Sequence, residues 1–263
     1  MSHQHFLSFV TNFKNEQAYL KEWLDYHIQV GVDHFYLFNQ DGSEESRKIL
    51  EPYEQAGYVT QHIWTHFGDK YEGPTYFFQK DRNHLGNIHA VQKHRHETVW
   101  MLKIDVDEFL FSKNPDKSIQ DIIKEYNPDM IKRIRIPRID FGSSGLLSPT
   151  VDGILKPFVF REANSSNYKD CASTQFLSSN SRCFSQHYWA YTWFNRGHAI
   201  TLGDEDELRI NHYYTKSKQE YFERQNISRG RKISEEDFKK IELRCNQIED
   251  NSMHRHLPLR SIG

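Results

Sequence analysis

Val99-Trp100-Met101-Leu102-Lys103-Ile104 runs straight into Asp105-Val106-Asp107-Glu108-Phe109, so the most apolar strand-like segment of the chain ends in three carboxylates. A short continuous apolar run reads as a buried strand, and in a parallel α/β sheet ligands bind beyond the carboxyl ends of the strands. Asp105 and Asp107 stand two residues apart, so on extended backbone their side chains point to the same face. Two like charges placed that way repel unless a cation lies between them. Hard carboxylate oxygens suit Mg²⁺ or Mn²⁺, with phosphate oxygens completing the shell. The competing account is an acidic turn capping the next helix, and Glu108 fits such a supporting role better than it fits a metal.

The flanking sequence repeats the strand–helix alternation. Phe6 to Val10 is a β-prone apolar run, followed by Tyr19/Leu20, Trp23/Leu24 and His27/Ile28 at four-residue intervals, an amphipathic helix stopped by Gly31. His34 to Phe38 is a second strand. Ser43 caps a helix carrying Ile49, Leu50 and Tyr53 up to Gly57, and Tyr58 to Trp64 is a third strand. Pro74 opens a longer helix with Tyr76, Phe77, Leu85, Ile88 and Val91 as core contacts. This order predicts an α/β fold with a mostly parallel central sheet covered on both faces. The regularity breaks near residue 130: Met130 to Ile136 alternates like a strand although it holds two arginines and a lysine. Residues 137–210 suit loops and antiparallel strands. C-terminal helices follow at Lys216–Ile227 and Ser234–Ile248, the latter opened by a capping box of Ser234 and Asp237. No repeat or linker interrupts residues 1–263, which read as a single domain divided at about 130 and 230, with 231–263 a helical tail.

Composition narrows the function. The 263 residues are 37% hydrophobic and 14% aromatic, which excludes a disordered chain. The 34 basic residues balance 36 acidic ones, so a dedicated polyanion binder, and with it nucleic acid as partner, is disfavoured. No run reaches the roughly 18 apolar residues of a membrane helix, and the first residues lack the basic and apolar regions of a signal peptide. Three cysteines without a pairing pattern argue for a reducing, cytoplasmic setting; a Cys171–Cys183 bridge is the one alternative. His94 and His96 read as a solvated helix end.

Thr11-Asn12-Phe13-Lys14-Asn15-Glu16 lies between the first strand and its helix, where an α/β fold places a nucleotide. It holds no glycine, so neither the dinucleotide fingerprint nor a P-loop is present. Asn15 also serves as a plain helix cap. Asn39 to Ser43 is the matching second loop, in which the Asp41 carboxylate either accepts from a base N–H or simply closes a turn.

Lys14-Asn15-Glu16, Glu22-Trp23-Leu24-Asp25-Tyr26-His27, Gly31 to Tyr36, Gly57-Tyr58-Val59, Gln79, Trp100 to Phe109, Phe141-Gly142-Ser143-Ser144-Gly145 and Asn211 to Ser217 together resemble glycosyltransferase family 92 and its family-2-like relatives, in order and roughly in spacing, from residue 6 to about 230. The resemblance implies a GT-A fold, that is, a Rossmann-like nucleotide-diphospho-sugar transferase. It also implies a nucleotide-sugar donor, usually UDP-linked, a glycan or glycoconjugate acceptor, Mn²⁺ or Mg²⁺, and inversion at the anomeric carbon. Residues 1–130 become the nucleotide-sugar half, with Thr11, Asn12, Asn15, Glu16, Asp41, Arg82 and Asp105 as its contacts, and 131–230 the acceptor half. Asp105, Asp107 and His212 match the metal ligands; Gly142, Ser143, Ser144 and Gly145 match the acceptor loop. An inverting transferase needs a base for the acceptor hydroxyl: Asp140, bordering that loop, is the first choice, with Asp204 to Glu207 as rivals. Lys216, with Arg229 or Arg231, would offset charge on the leaving diphosphate.

Two departures qualify the resemblance. The family's plant and animal members are larger and membrane-anchored, so this chain is expected to be a soluble bacterial or viral relative, at most in peripheral contact with a membrane. A tryptophan expected just before the glycine-serine loop is replaced by Arg138-Ile139-Asp140, which leaves the acceptor open. A metal-dependent phosphohydrolase or nucleotidyltransferase and a non-catalytic sugar-binding module are the competing functions.

Overall fold

The computed structural model describes residues 3–64, 82–165, 167–178, 188–191, 197–229 and 232–262, with the backbone alone at 82–84 and 226–229. Pro74, Tyr76, Phe77, Gln79, Cys183 and Arg231 lie outside these residues. The strand–helix alternation appears as β1 (His5–Phe13), α1 (Gln17–Gln29), β2 (His34–Asn39), α2 (Glu44–Gln55), β3 (Val59–Ile63), α3 (Arg82–His94) and β4 (Thr98–Lys103). Strands β3-β2-β1-β4 form a parallel block in that order. Side chains alternate across it: Phe9 and Leu37 pack with Trp23 and Leu24 of α1, while Val10 and Phe38 pack with Ala90 and Val91 of α3. Leu85, Ile88 and Val91 are buried as their spacing predicts.

Beyond β4 the sheet is mixed, which corrects the expectation of a mostly parallel one. The later strands are β5 (Glu108–Ser112), β6 (Ile131–Asp140), β7 (Phe160–Arg161), β8 (Asn167–Ser173), β9 (His198–Thr201), β10 (Leu208–His212) and β11 (Ile248–Glu249), with the short α4 (Ile119–Lys124) after β5. β8 runs antiparallel between β4 and β6, β10 lies parallel to β6, and β5 closes the path antiparallel to β10. Among the described residues the connections between β5 and β10 carry one short α-helix and a 3₁₀ turn, instead of the regular helical crossovers that parallel strands need.

This large α/β sheet curls and is compatible with a Rossmann-like fold. The curl returns edge strand β5 to α1: Trp23 Nε1 donates to the Glu108 carbonyl at 2.8 Å, Tyr26 Oη to the Leu110 carbonyl at 3.0 Å, and the Leu110 N–H to His27 Nε2 at 3.1 Å. The exposed edge of β5 is thus covered by one helix face.

β1, β4, β6 and β10 all end at one sheet edge, and β5 starts there. That edge therefore carries Asn15, Asp105, Asp107, Glu108, Asp140 and His212. Helices α5 (Lys218–Arg229) and α6 (Glu235–Cys245) follow, and Ser234 and Asp237 form the expected capping box. The tail is less helical than expected, because β11 pairs with β7 and a 3₁₀ turn follows. One further reading changes. His94 is buried, stacked on Tyr36 and bonded to Glu97, so it is a core histidine, whereas His96 is exposed. Cys171 and Cys245 are free buried thiols.

Candidate active site

The loop from β4 to β5 accommodates its three carboxylates by pairing each with a cation, Lys169 being shared by two of them. Asp107 is buried and accepts from Arg224 Nη1 of α5 at 2.8 Å. Glu108, fully buried, pairs with Arg138 of β6 at 3.1 Å and with Lys169 of β8 at 2.5 Å. Asp105 has a half-exposed side chain and pairs with the same Lys169 Nζ at 2.8 Å. Burial alone would push the Lys169 ammonium down, but Asp105 and Glu108 hold it above its ordinary value.

His212 ends β10 opposite Asp140, the last residue of β6. Its Nδ1 lies 2.6 Å from Asp140 Oδ1, and its Nε2 lies 3.6 Å from Asp107 Oδ2. Burial would lower the imidazole pKa, yet the two carboxylates raise it to about 9. Burial likewise opposes charge on Asp140, but His212, Arg138 and Arg244 lower its pKa to about 2. Burial also works against the charge on Asp107, which His212 and Arg224 keep well below the usual carboxylate range.

Asp140 does not stand as a free base. One oxygen faces His212 and the other accepts from Arg244 of α6 at 2.9 Å. A carboxylate so engaged orients the ring instead of collecting a proton. The rivals at 204–207 lie at the start of β10, about 13 Å of strand away from His212, where Glu207 bonds Asn114 and Lys117.

The β1–α1 loop approaches from the other side. Asn15 has φ 58° and Lys216 φ 50°, left-handed backbone that only a supporting structure maintains in a non-glycine residue. Lys216 Nζ donates to Glu16 Oε2 at 3.0 Å and sits over the Tyr19 ring. Burial raises the Glu16 carboxyl pKa, although Lys216 opposes it. Lys14, Asn15, Glu16, Tyr19, Lys216 and Arg224 border a cavity of about 680 Å³. Asp41 lies behind this loop: its oxygens accept from the backbone N–H groups of Asn15 and Ser43, each at 2.8 Å, so it sets the shape of the loop. Thr11 is fully buried, and Asn12 reaches across to Asn87 of α3 at 3.0 Å. Arg82 opens α3, and its side chain lies outside the described residues, as does that of Arg229.

The glycine-serine loop is clamped by α6. A Cβ on Gly142 would fall 2.0 Å from Asn246 Oδ1, so this position requires a close approach. The Ser143 N–H donates to Glu242 Oε1 at 2.9 Å, while Ser144, at φ 51°, accepts on its hydroxyl from Val159 N–H at 2.8 Å. Sequence reasoning missed Lys169, Arg224, Glu162, Glu242 and Arg244. Arg138 carried a signal, standing where the resemblance expects a tryptophan; Lys169 and the helix residues carried none.

Asp107 Oδ2 and His212 Nε2, 3.6 Å apart, are the pair whose chemistry suits a divalent ion, although Asp107 Oδ2 also accepts from Arg224; Asp140 holds the far ring nitrogen as an outer-shell carboxylate does. Asp105 is turned to Lys169, and among the described residues no group of three His, Cys, Asp or Glu side chains is arranged to hold a metal. Two protein ligands leave the remaining positions to phosphate oxygens and water.

The family model described as glycosyltransferase family 92 matches residues 9–248. A glycosyltransferase family 92 protein of Ricinus communis is 24% identical over 212 residues, which cover 80% of this chain and 35% of the relative. One from Arabidopsis thaliana is 25% identical over 189 residues, covering 67% of this chain and 30% of the relative. The chain therefore spans about a third of the length of these relatives. They are plant proteins, so the expected bacterial or viral affinity finds no support. Among solved structures, HddC from Yersinia pseudotuberculosis matches 78% of this chain and 92% of its own at 8% identity and a TM-score of 0.38, which is only a coarse likeness. No helix among the described residues is long and apolar enough to cross a membrane.

Proposed function

We propose, for a chain that belongs to glycosyltransferase family 92, that it is a metal-dependent inverting glycosyltransferase of the GT-A type. It would move a sugar from a UDP-linked donor to a hydroxyl of a glycan or glycoconjugate. The observation that supports this best is the convergence of Asp107, His212 and the cavity wall at Lys216 and Arg224 on one sheet edge. Asp107 and His212 would hold Mn²⁺, or Mg²⁺, with the donor diphosphate. When bound, the ion would stabilise charge developing on the leaving diphosphate. The protein's own contribution is positional. Asp140 fixes the His212 ring, Arg224 fixes Asp107, and Lys216 adds a cation to the cavity from a backbone conformation that holds it in place. The Gly142–Gly145 loop, carried by α6, would shape the acceptor side, and Glu16 and Glu223 are carboxylates lining the cavity that could face an acceptor hydroxyl.

A thermal-shift screen of nucleotide sugars with and without Mn²⁺ tests the proposal. A ligand at a hundred times its Kd stabilises the native state by about 2.7 kcal/mol, and a UDP-sugar should do so only with the metal. Nucleotide release that depends on a sugar acceptor then separates transfer from hydrolysis. If no nucleotide sugar shifts the melting temperature under either condition, the proposal fails.

A further inference from the structure

We infer that Lys169 is the positioning residue of the Asp105–Glu108 turn, a buried ammonium that aims the Asp105 carboxylate at the ligand crevice. Its consequence for ligand binding rests on the transferase reading above. β8 is enclosed between β4 and β6, with Lys169 opposite Ile136, and the lysine side chain is only 1% exposed. From that interior position Nζ reaches Asp105 Oδ2 at 2.8 Å and Glu108 Oε2 at 2.5 Å. The same Glu108 oxygen accepts the Asp105 N–H at 3.0 Å, and the Glu108 N–H returns to the Asp105 carbonyl at 3.0 Å. Arg138 holds the other Glu108 oxygen. The turn is therefore closed on itself by backbone and side chain, and Lys169 ties both of its ends to the sheet interior.

An ammonium suits this task because its three donors radiate from one point. It can hold two carboxylates that would otherwise repel across the turn. The Asp105 side chain keeps 48% of its surface exposed while Oδ2 is anchored to Lys169, so the carboxylate is tethered yet open to solvent. A carboxylate held before ligand arrives does not have to be ordered on binding.

The test is a double-mutant cycle on the whole chain, reading UDP affinity by calorimetry in the presence of Mn²⁺, with hydrogen exchange of the 103–109 peptide in the ligand-free protein. Lys169→Met should weaken UDP at least tenfold in the native background and have almost no further effect in an Asp105→Asn background, because the lysine acts through that carboxylate. Exchange at Asp105 and Glu108 should rise at least tenfold while β1 stays protected. Glu108→Gln, which keeps shape and weakens the same tie, should show a smaller change in the same direction and serves if Lys169→Met does not fold. Equal losses of UDP affinity in both backgrounds, or unchanged exchange in the turn, would overturn the inference. If the unmodified chain binds no nucleoside diphosphate, the transferase reading fails, and the exchange measurement alone decides the role of Lys169.

Discussion

In the metal-free protein, raising the pH from 6.5 to 8.5 should remove about 2 kcal/mol of folding stability through His212 alone. The imidazole has a pKa of about 9 when folded and about 6.5 when unfolded. A raised folded pKa means the folded state holds the proton more tightly. The resulting stability, about 3 kcal/mol, is fully present below pH 6.5 and is lost as pH rises through 9. The groups facing His212 are Asp107 on its loop and Asp140 and Arg138 on β6, backed by Arg224 of α5 on Asp107 and Arg244 of α6 on Asp140. Asp107 and Asp140 are held below the usual carboxylate range and Arg138 and Arg244 above the usual guanidinium value, so these four stay charged across the window. His5, His27, His34, His62, His89, His94 and His256 are all pushed down by burial, so the stability they contribute rises with pH and is complete by about pH 7.5; this rise is common to native protein and variant and cancels in their difference. Cys171 and Cys245, pushed up by burial, begin to contribute only near pH 8.5. Urea unfolding followed by tryptophan fluorescence in EDTA, at half-unit intervals between pH 6.5 and 8.5, measures the slope. His212→Gln can still bond to Asp140 but carries no titratable proton, so the loss of about 2 kcal/mol across the window should appear as the difference between the native protein and this variant. Parallel slopes for the two proteins would refute the buried ion-pair account of the Asp107–His212–Asp140 row.

Other consequences follow from the same geometry. Mn²⁺ must displace the His212 proton, so its apparent affinity should fall about tenfold per pH unit below about 9, higher than the ordinary histidine value of about 6.5 suggested by sequence; Mn²⁺ titrations at pH 6.5, 7.5 and 8.5 check this. Asp107→Ala should abolish transfer and also lower stability by about 3 kcal/mol. That reverses the expectation of a repelling surface carboxylate, because Asp107 is buried against two cations, and calorimetry distinguishes the signs. Asp140→Asn, which loses only the charge beside His212, should weaken Mn²⁺ by about 10- to 100-fold and leave measurable transfer at saturating metal; complete loss of turnover there would restore Asp140 as the base. Gly142→Ala should destabilise the fold by about 1–3 kcal/mol by pushing against Asn246, and Asn246→Gly in the same chain should recover most of the loss in thermal melts.

The parallel half was legible because burial there is achieved with apolar side chains. Phe6 to Val10, His34 to Phe38 and Val99 to Ile104 contrast with the four-residue spacing of Trp23 and His27, so strand and helix declare themselves. The mixed half hides its strands because they are buried through charge. Arg133 and Arg135 of β6 face Asp170 of β8 at 3.2 Å each, and Arg209 of β10 meets Asp250 at 2.7 Å. β6 still shows Ile134 and Ile136 alternating with these arginines, but β8, which buries Lys169 and Asp170 by pairing them, has no apolar alternation to read. The site shows the same division. Asp105, Asp107, His212, Glu16 and Lys216 could be named as chemistry, but which cation faces which carboxylate depends on contacts between residues tens to hundreds apart in sequence. Asp140 illustrates this: its proximity to the glycine-serine loop was visible, and its engagement by His212 and Arg244 was not.

The reversed strand that spoiled the parallel prediction is also what completes the site. Had β8 run in the direction of β4, its residues near the ligand edge would be its last ones, leading out into a loop. Because it runs the other way, it enters at that edge, and its third residue, Lys169, lies one strand over from the end of β4 with its chain already inside the sheet. A lysine there can reach Asp105 and Glu108 from beneath, leaving the solvent side of the turn clear for a ligand. A lysine on a surface loop would reach the same carboxylates only from the side on which the ligand must arrive. The antiparallel insertion and the anchored acidic turn are therefore one structural feature, and a chain that keeps the Asp105/Asp107 pair in this fold has reason to keep a cation at the third position of that strand.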